Sequence, residues 1–519
     1  MNIPLLINRL NRNSKIVYVV LLIALGYIAF LACSIHEGVF YAGDQALKAL
    51  QVKQIAAGYG YKYLHLTQPA WVQSVWQAGY FPLKAPFFYP SANGYMIVYP
   101  PMFQIITSFF YAKLGSVGLY ILPLLSTVIL LGWTCWLFKR CGITPFNISL
   151  GIFILVFCSP LMLYGVMFWE HLPAVLLLFA GLSFIVCTPS KLWAAVALGL
   201  VSGQAIWLRP EALMMNFLYC VAVAILYFRE KRTVYIAFAA AEAFSVLMWF
   251  AFNKMEYGSI FGIHSLQVLS DHNPDTQIGW GHGLHNLISI NYLSLRSFFF
   301  VALLVPVLYW LIRRRETADL RMMMLAGIVI LYSLLTPFIL PNDGVVQWGP
   351  RYFLALIPIV LVILFLAEKK WDLFAHWKVP LWLTLIILVG SAEGFYYNTG
   401  RGGLKELRWR YTKRLSDEYD VLNKKPGNVV IVSPQYVTYD FGYLFDKDYF
   451  FAESGDDSLR KLLPILKEHG VHQFIYIFDP RTPTLPKMLK DPITCHYWED
   501  AAKKGRVKND LASVLYKID

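Results

Sequence analysis

The sequence predicts a polytopic all-α membrane protein of about eleven transmembrane helices, followed by a small C-terminal α/β extracytoplasmic domain. Three observations predict it. Hydrophobic residues make up 57% of the 519 positions, while charged residues make up only 15%, against roughly 25% in soluble chains. The mean hydropathy is +0.51. Apolar runs of spanning length recur from Ile16 to Phe395, and beyond Asn398 the composition turns ordinary and charged. Together these exclude a disordered or fibrous chain and argue against a purely soluble enzyme. The net charge of +13 reads as cytoplasmic anchoring loops, not as nucleic-acid binding.

The spans follow from length and charge. Arg9, Arg12 and Lys15 precede the first, Ile16–Ile35, and place the N-terminus inside. No cleavable signal peptide is expected, because that run lacks a small-residue cleavage site. Further spans read at Leu119–Phe138, Ile148–Met167, Leu172–Val186, Leu192–Leu208, Ala212–Phe228 and Val234–Phe252. The last four read at Phe298–Ile312, Met322–Leu340, Phe353–Ala367 and Val379–Phe395. Threaded alternately, they put Lys139/Arg140, Lys191, Arg229/Lys231/Arg232, Arg313–Arg315 with Arg321, and Lys369/Lys370 all inside. Met96–Lys113 is apolar enough to span, but counting it would invert every later loop. It is therefore laid at the outer interface as an amphipathic or shallow helix.

This topology divides the chain at 397/398. Residues 1–397 form the transmembrane part, with outer loops at 36–118 and 253–296, and 398–519 form the extracytoplasmic domain. In that domain Asn428–Val432 and His472–Phe478 read as strands, Ser458–Glu468 as a helix, and Val514–Ile518 as an edge strand. The seven cysteines offer no pair at metal-ligand spacing, so neither a disulfide framework nor a zinc site is expected.

A polar side chain near membrane depth is costly, so each needs an account. Asp44 follows the first span and opens a helix that repeats polar groups at Lys48 and Gln51. It reads as an N-cap, as a reactive carboxylate, or as both. Glu170-His171 lies in a short outer turn and reads as a site or as a solvated hairpin tip. In Arg209-Pro210-Glu211 the proline and the acid suit a helix start, which leaves Arg209 unexplained. Arg351, within Gly349-Pro350-Arg351-Tyr352-Phe353, opposes the positive-inside trend, and so does Lys84. His282, His285 and Asp446-Lys447-Asp448 read as exposed loop, and Glu242 within a span as a hydrogen-bonded interhelical carboxyl. Asp44, Lys84, Glu170, His171, Arg209, Glu211 and Arg351 come from separate segments, yet all fall on the outer side. One outward-facing cavity with an acid and several cations is the economical reading. It suits a lipid-linked phosphate: cations stabilise the departing phosphate, and a carboxylate takes a proton from an attacking hydroxyl.

Five motifs in order carry a resemblance. They are Gly43-Asp44-Gln45-Ala46, Tyr99-Pro100-Pro101-Met102-Phe103, Ser159-Pro160-Leu161-Met162-Leu163-Tyr164, Leu208-Arg209-Pro210-Glu211-Ala212 and Gly349-Pro350-Arg351-Tyr352-Phe353. With this order the chain resembles the GT-C superfamily of membrane glycosyltransferases, especially the protein mannosyltransferases and the lipid A aminoarabinose transferase. The resemblance implies a GT-C-like fold and an inverting transferase that takes a sugar from a polyprenyl-phosphate donor on the outer face. It implies Asp44 as catalytic base and Arg351 as a cation at the donor phosphate; Lys84 and Arg209 join Arg351 as phosphate-binding candidates. Glu170, His171, Glu211 and Tyr352 are substrate-binding candidates. The first loop holds no second acid beside Asp44 and no Asp-x-Asp, so no metal and no other cofactor is expected.

The partners expected are a polyprenyl-phosphate sugar, membrane lipid, and a glycan, lipid or protein acceptor, with no nucleic acid. The alternatives are a ligase using a polyprenyl-diphosphate donor and a transporter or flippase of lipid-linked sugars. A transporter usually carries internal repeats and midplane charges, and here neither a repeat nor any midplane group but Glu242 is evident. The only Asn-x-Ser/Thr sequon, Asn147-Ile148-Ser149, falls inside, which leans toward a bacterial plasma membrane.

Overall fold

The computed structural model describes residues 14–35, 40, 43–66, 68–83, 88–91, 93–263, 265, 280–297, 308–309, 312–313, 319–340, 351–373, 378–399, 403–404, 428–433, 449–453, 456–478, 492–498 and 511–518. Along the chain come α1 (Lys15–Ala32), α2 (Gly43–Ala56), α3 (Ala70–Val75), strands β1 (Phe88–Ser91) and β2 (Gly94–Ile97), and α4 (Met102–Leu114). Then follow α5 (Gly118–Arg140), α6 (Pro145–Phe157), α7 (Leu161–Val166), α8 (His171–Val186), α9 (Leu192–Gly203) and α10 (Ala205–Leu208). Next are α11 (Ala212–Glu230), α12 (Thr233–Tyr257), α13 (Trp280–Ser297), α14 (Leu320–Ile339), α15 (Leu356–Trp371) and α16 (Lys378–Thr399). The tail holds β3 (Val429–Val432), β4 (Tyr449–Ala452), α17 (Asp456–Glu468), β5 (Gln473–Phe478), β6 (Pro492–Trp498) and β7 (Leu511–Lys517). The chain divides into two compact units. One comprises Met1–Ile35, Pro100–Phe110 and Val117–Lys405; the other comprises His36–Tyr99, Tyr111–Ser116 and Glu406–Asp519.

The first unit is helical. Among the described residues Lys15–Ala32, Met102–Arg140, Ala212–Glu230, Thr233–Tyr257 and Leu320–Ile339 are long and apolar enough to cross a membrane. Their outward faces carry Leu22, Phe30, Trp136, Phe228, Phe244 and Leu247, all well exposed. Hydrocarbon tolerates such faces and water does not, so the unit is that of a multi-pass membrane protein. Two expected spans are broken. Ile148–Met167 divides at Cys158-Ser159-Pro160 into α6 and α7, and Leu192–Leu208 divides at Gln204 into α9 and α10. The segment laid at the interface also differs: Met96 and Ile97 belong to β2, while α4 runs through a single 3-10 turn, Gly115–Val117, into α5. Most of the expected span Phe298–Ile312 lies outside the described residues.

The segment expected as the second outer loop is in part a helix. Its Gly, His and Asn content gives α13 weak helical propensity, and packing against α14 supplies what propensity lacks. Pro337 within α14 has no N–H, so the Ser333 carbonyl four residues back loses its helical partner. Asn291 Nδ2 donates to that carbonyl at 3.2 Å, and Asn286 Nδ2 donates to the Leu340 carbonyl at 3.0 Å. Two asparagines in α13 thus satisfy backbone that the proline and the helix end leave open.

The basic loops gather at one end of this unit. Lys369 Nζ donates to the Cys141 carbonyl at 2.6 Å, and Arg232 donates to the Pro189 carbonyl at 2.9 Å. Arg321 reaches the Glu230 carboxylate at 3.0 Å and the Val186 carbonyl at 3.4 Å. The ends of α5, α8, α11 and α15 and the start of α14 therefore meet. The starts of α8 and α11 lie at their opposite ends, where the candidate polar residues cluster.

The second unit is built on a five-stranded sheet of order β4-β3-β5-β7-β6. Strands β3, β4 and β5 are parallel, while β7 runs antiparallel to both β5 and β6. The segment expected as an edge strand is therefore internal. Its outer neighbour β6 has Pro492 and Thr494 in place of a clean apolar alternation, so the sequence concealed it. Leu459, Leu462 and Leu466 of α17 share one apolar core with Val430, Ile431, Ile475 and Ile477 of the sheet. Residues of the first loop complete the same core. Trp76 Nε1 donates to the Phe450 carbonyl at 2.9 Å, the Tyr80 hydroxyl donates to the Ser458 carbonyl at 3.0 Å, and Trp71 stacks on His469 with ring centroids 4.6 Å apart.

Candidate active site

Backbone chemistry brings three segments of the helical unit together. Arg209 precedes Pro210, and a residue before proline is pushed out of the helical region. Arg209 accordingly takes φ −140°, ψ 109° and ends α10, so its side chain is released from a helix face. Glu211 sits at the N-cap of α11, and Glu170 at the N-cap of α8, where the helix dipole favours a carboxylate. Arg209 donates to Glu170 Oε1 at 2.9 Å and to Glu211 Oε1, forming a carboxylate–guanidinium–carboxylate bridge.

Glu170 is 3% exposed and His171 is 4% exposed, so the solvated hairpin-tip reading is overturned. The expectation that Arg209 had no structural explanation is overturned too, since it ties α8 to α11. Burial pulls the Arg209 pKa down, but Glu211 and Glu170 outweigh that loss, while Arg351 pulls it back in part. The net displacement is above the ordinary value, and Arg209 stays charged.

Arg351 and Tyr352 begin the 3-10 turn before α15. The Arg351 guanidinium lies 5.6 Å from the Trp169 ring and 5.3 Å from the Tyr352 ring, and the Arg209 guanidinium lies 5.7 Å from the Tyr352 ring. The Tyr332 hydroxyl donates to the Tyr352 carbonyl at 3.1 Å and fixes that turn. His171 packs edge-on against Trp169 at 4.7 Å. A pocket lined by His171, Arg209, Glu211, Tyr332, Arg351 and Tyr352 opens here. The sequence reading missed Trp169 and Tyr332. Both are aromatics in a chain with 16% aromatic residues, and only adjacency to Glu170 could have flagged Trp169.

Asp44 belongs to the second unit. It is the second residue of α2, two past the N-cap position expected for it, and its Oδ1 accepts from the Gln45 N–H at 3.1 Å. Lys48, one turn on, places its ammonium 3.9 Å from Asp44 Oδ2 and 4.7 Å from the Tyr99 ring centroid. Lys48 is buried, with its side chain 3% exposed, whereas that of Asp44 is 14% exposed. The rest of the polar face faces inward too: Gln51 donates to the Tyr61 carbonyl, and Gln54 donates to the Tyr63 carbonyl and accepts from the His65 N–H. These glutamines fold the loop after α2 back against the second half of the helix.

Lys84, Asp446-Lys447-Asp448 and Gly349-Pro350 lie outside the described residues. Glu242 is fully buried in α12, where Ser202 Oγ donates to it at 2.7 Å and Cys220 Sγ at 3.2 Å, in line with an interhelical role. Among the described residues no group of three or more His, Cys, Asp or Glu side chains could hold a metal ion.

No protein-family profile matches the sequence, and no curated protein matches it. Solved structures do. ArnT from Cupriavidus metallidurans bound to undecaprenyl phosphate is similar with a TM-score of 0.58 and 11% identity, covering 97% of this chain and 98% of that one. The apo state of the same protein gives 0.57 and 10%, covering 96% and 97%. At such identity the likeness speaks for the fold alone: this chain shares the fold of ArnT along nearly its whole length.

Proposed function

We propose that this protein is an integral-membrane glycosyltransferase that moves one sugar from a polyprenyl-phosphate donor to a hydroxyl acceptor at the outer face of a bacterial inner membrane. The observation that carries the reading is the fold shared along nearly the whole chain with ArnT, whose solved form holds undecaprenyl phosphate. The cluster at the starts of α8 and α11 supports it. Arg209 binds two carboxylates and acts as the anchor, and Arg351, packed beside the Trp169 and Tyr352 rings in the lining of the same pocket, is the cation for the donor phosphate. Lys84 is a second phosphate ligand. His171, Glu170, Glu211 and Tyr352 shape the floor of the site.

In the reaction the acceptor oxygen attacks the anomeric carbon, the bond from that carbon to the phosphate oxygen breaks, and Asp44 takes the hydroxyl proton. The polyprenyl phosphate leaves with the electron pair, its charge met by Arg351. A single displacement inverts the anomeric centre. Lipid-facing grooves between helices would hold the tail, so binding far from the reacting bond positions the phosphate.

The test is transfer by the purified protein in lipid, using labelled polyprenyl-phosphate sugars and an envelope acceptor pool. Wild type should transfer label, and Asp44→Asn, folded and still binding donor, should lose at least about 100-fold in rate. An undiminished Asp44→Asn rate removes Asp44 as base. Movement of lipid-linked sugar across the bilayer without transfer replaces the reading with that of a transporter.

A further inference from the structure

At the other end of α8 the fold joins two cysteines that are 46 residues apart in sequence. Cys141 follows α5 and Cys187 caps α8, with their sulfurs 3.6 Å apart. Both are free thiols and both are partly exposed. Neither belongs to the cluster described above: α8 has 16 residues, so about 24 Å of helix separates Cys187 from His171.

Basic groups surround the pair. Arg140 adjoins Cys141, Lys369 donates to the Cys141 carbonyl, and Arg321 donates to the carbonyl of Val186, next to Cys187. These contacts also hold the two loops on which the thiols sit. We propose that Cys141 and Cys187 form a dithiol site that reacts with peroxide and closes to a disulfide, stapling the loop after α5 to the loop after α8.

The division of labour follows from the electrostatics. The hydrogen bond from Cys141 lowers the Cys187 pKa, burial opposes this, and Arg140 and Arg321 lower it further, to about 7. The Cys141 pKa is raised, first by that shared hydrogen bond and then by burial. One proton is held between two sulfurs. Cys187 is the nucleophile and Cys141 the resolving thiol.

The Cys187 thiolate attacks one peroxide oxygen, the O–O bond breaks, and hydroxide leaves to become water, giving a sulfenic acid at Cys187. The Cys141 sulfur then attacks the sulfenic sulfur and a second water leaves. Sulfur loses two electrons and peroxide gains them. The sulfurs must close by about 1.5 Å to bond, a shift of loop residues that leaves the helices in place.

The experiment uses the full-length reduced protein in lipid nanodiscs at neutral pH. It is treated with graded hydrogen peroxide, alkylated, digested without reductant and analysed by mass spectrometry. A Cys141–Cys187 linked peptide should appear at no more than a tenth of the peroxide needed to oxidise the exposed Cys33. In Cys141→Ser the sulfenic acid at Cys187 should persist and be trapped by dimedone, while Cys187→Ser should give no product at Cys141. Alkylation of Cys187 in wild type should rise with a midpoint near pH 7, and that midpoint should move up in Cys141→Ser. Absence of the linked peptide at peroxide levels that convert Cys33 to sulfinic acid overturns the proposal. So does trapping at Cys141 in preference to Cys187. The readouts are covalent and independent of sugar transfer.

Discussion

Single polar residues in this chain are legible because an apolar background makes each one conspicuous, and their pairing is not. Glu170 and Arg209 stand 39 positions apart and nothing local says that they touch. The bridge they form with Glu211 sets up a stability prediction. Arg209→Met leaves the buried Glu170 and the half-buried Glu211 without their shared cation, and breaking a buried pair by removing one partner costs up to about 3–5 kcal/mol. Thermal unfolding in detergent should fall steeply, and adding Glu170→Gln should recover part of the loss. If Arg209→Met unfolds like wild type, the bridge does not hold the fold. Arg351 makes the opposite prediction. It is packed between ring faces, so Arg351→Ala should leave unfolding within about 1 kcal/mol of wild type while lowering transfer kcat/KM about 100-fold. A stability loss that accounts for the rate loss would make Arg351 structural.

Helices were legible where an apolar run was long, and illegible where packing decides. In the run from Ile148 to Met167 the one signal of the break was Pro160 after the small polar Ser159, and the length of the apolar run overrode it. α13 was illegible because its order comes from Asn291 and Asn286 meeting carbonyls of α14. α9 and α12 show the same dependence on neighbours. A Cβ at Gly199 would strike the Phe238 carbonyl oxygen of α12 and come within 3.0 Å of Ala241 Cβ, and one at Gly203 would lie 2.6 Å from Ser245 Cβ. Small residues let these backbones approach closely, which is how helices associate without a hydrophobic driving force. The contact is backbone, so it has little room to yield. Gly199→Ala should therefore destabilise the helical unit by about 1–3 kcal/mol. Gly26→Ala in α1, with nothing within 4 Å of the added carbon, should be neutral or slightly stabilising. Equal melting of the two variants would mean that α9 and α12 can part without cost.

At the scale of the whole molecule, local patterns give strands and helices but not which of them share a core. In the tail β3, β5, β7 and α17 were legible as apolar runs and helical spacing, while β4 and β6 were not. That Trp76, Tyr80, Phe81 and Phe88 of the first loop lie in the same core as Val430, Phe450 and Ile475 was not, since some 370 residues separate Trp76 from its acceptor, Phe450. The sharing has a consequence for the proposed chemistry. Asp44 and its partner Lys48 sit on α2, whose Leu47 and Leu50 are part of that core. Removing residues 406–519 would expose those aromatics and leave the Trp76 N–H and Tyr80 hydroxyl without their acceptors. The truncated chain should keep its helical unit in the membrane yet lose transfer entirely, and trypsin should cut faster than in the full chain at Lys53 and Lys62, which are half-buried there. Trp76→Ala is the milder form of the same test: deleting a buried tryptophan costs about 3–5 kcal/mol, enough to loosen the α2 turn without touching Asp44. Full transfer by the truncated chain would separate the tail from catalysis. Loss in both variants, with Arg351→Ala remaining folded, would place Asp44, the proposed base, under the control of a core that the tail completes.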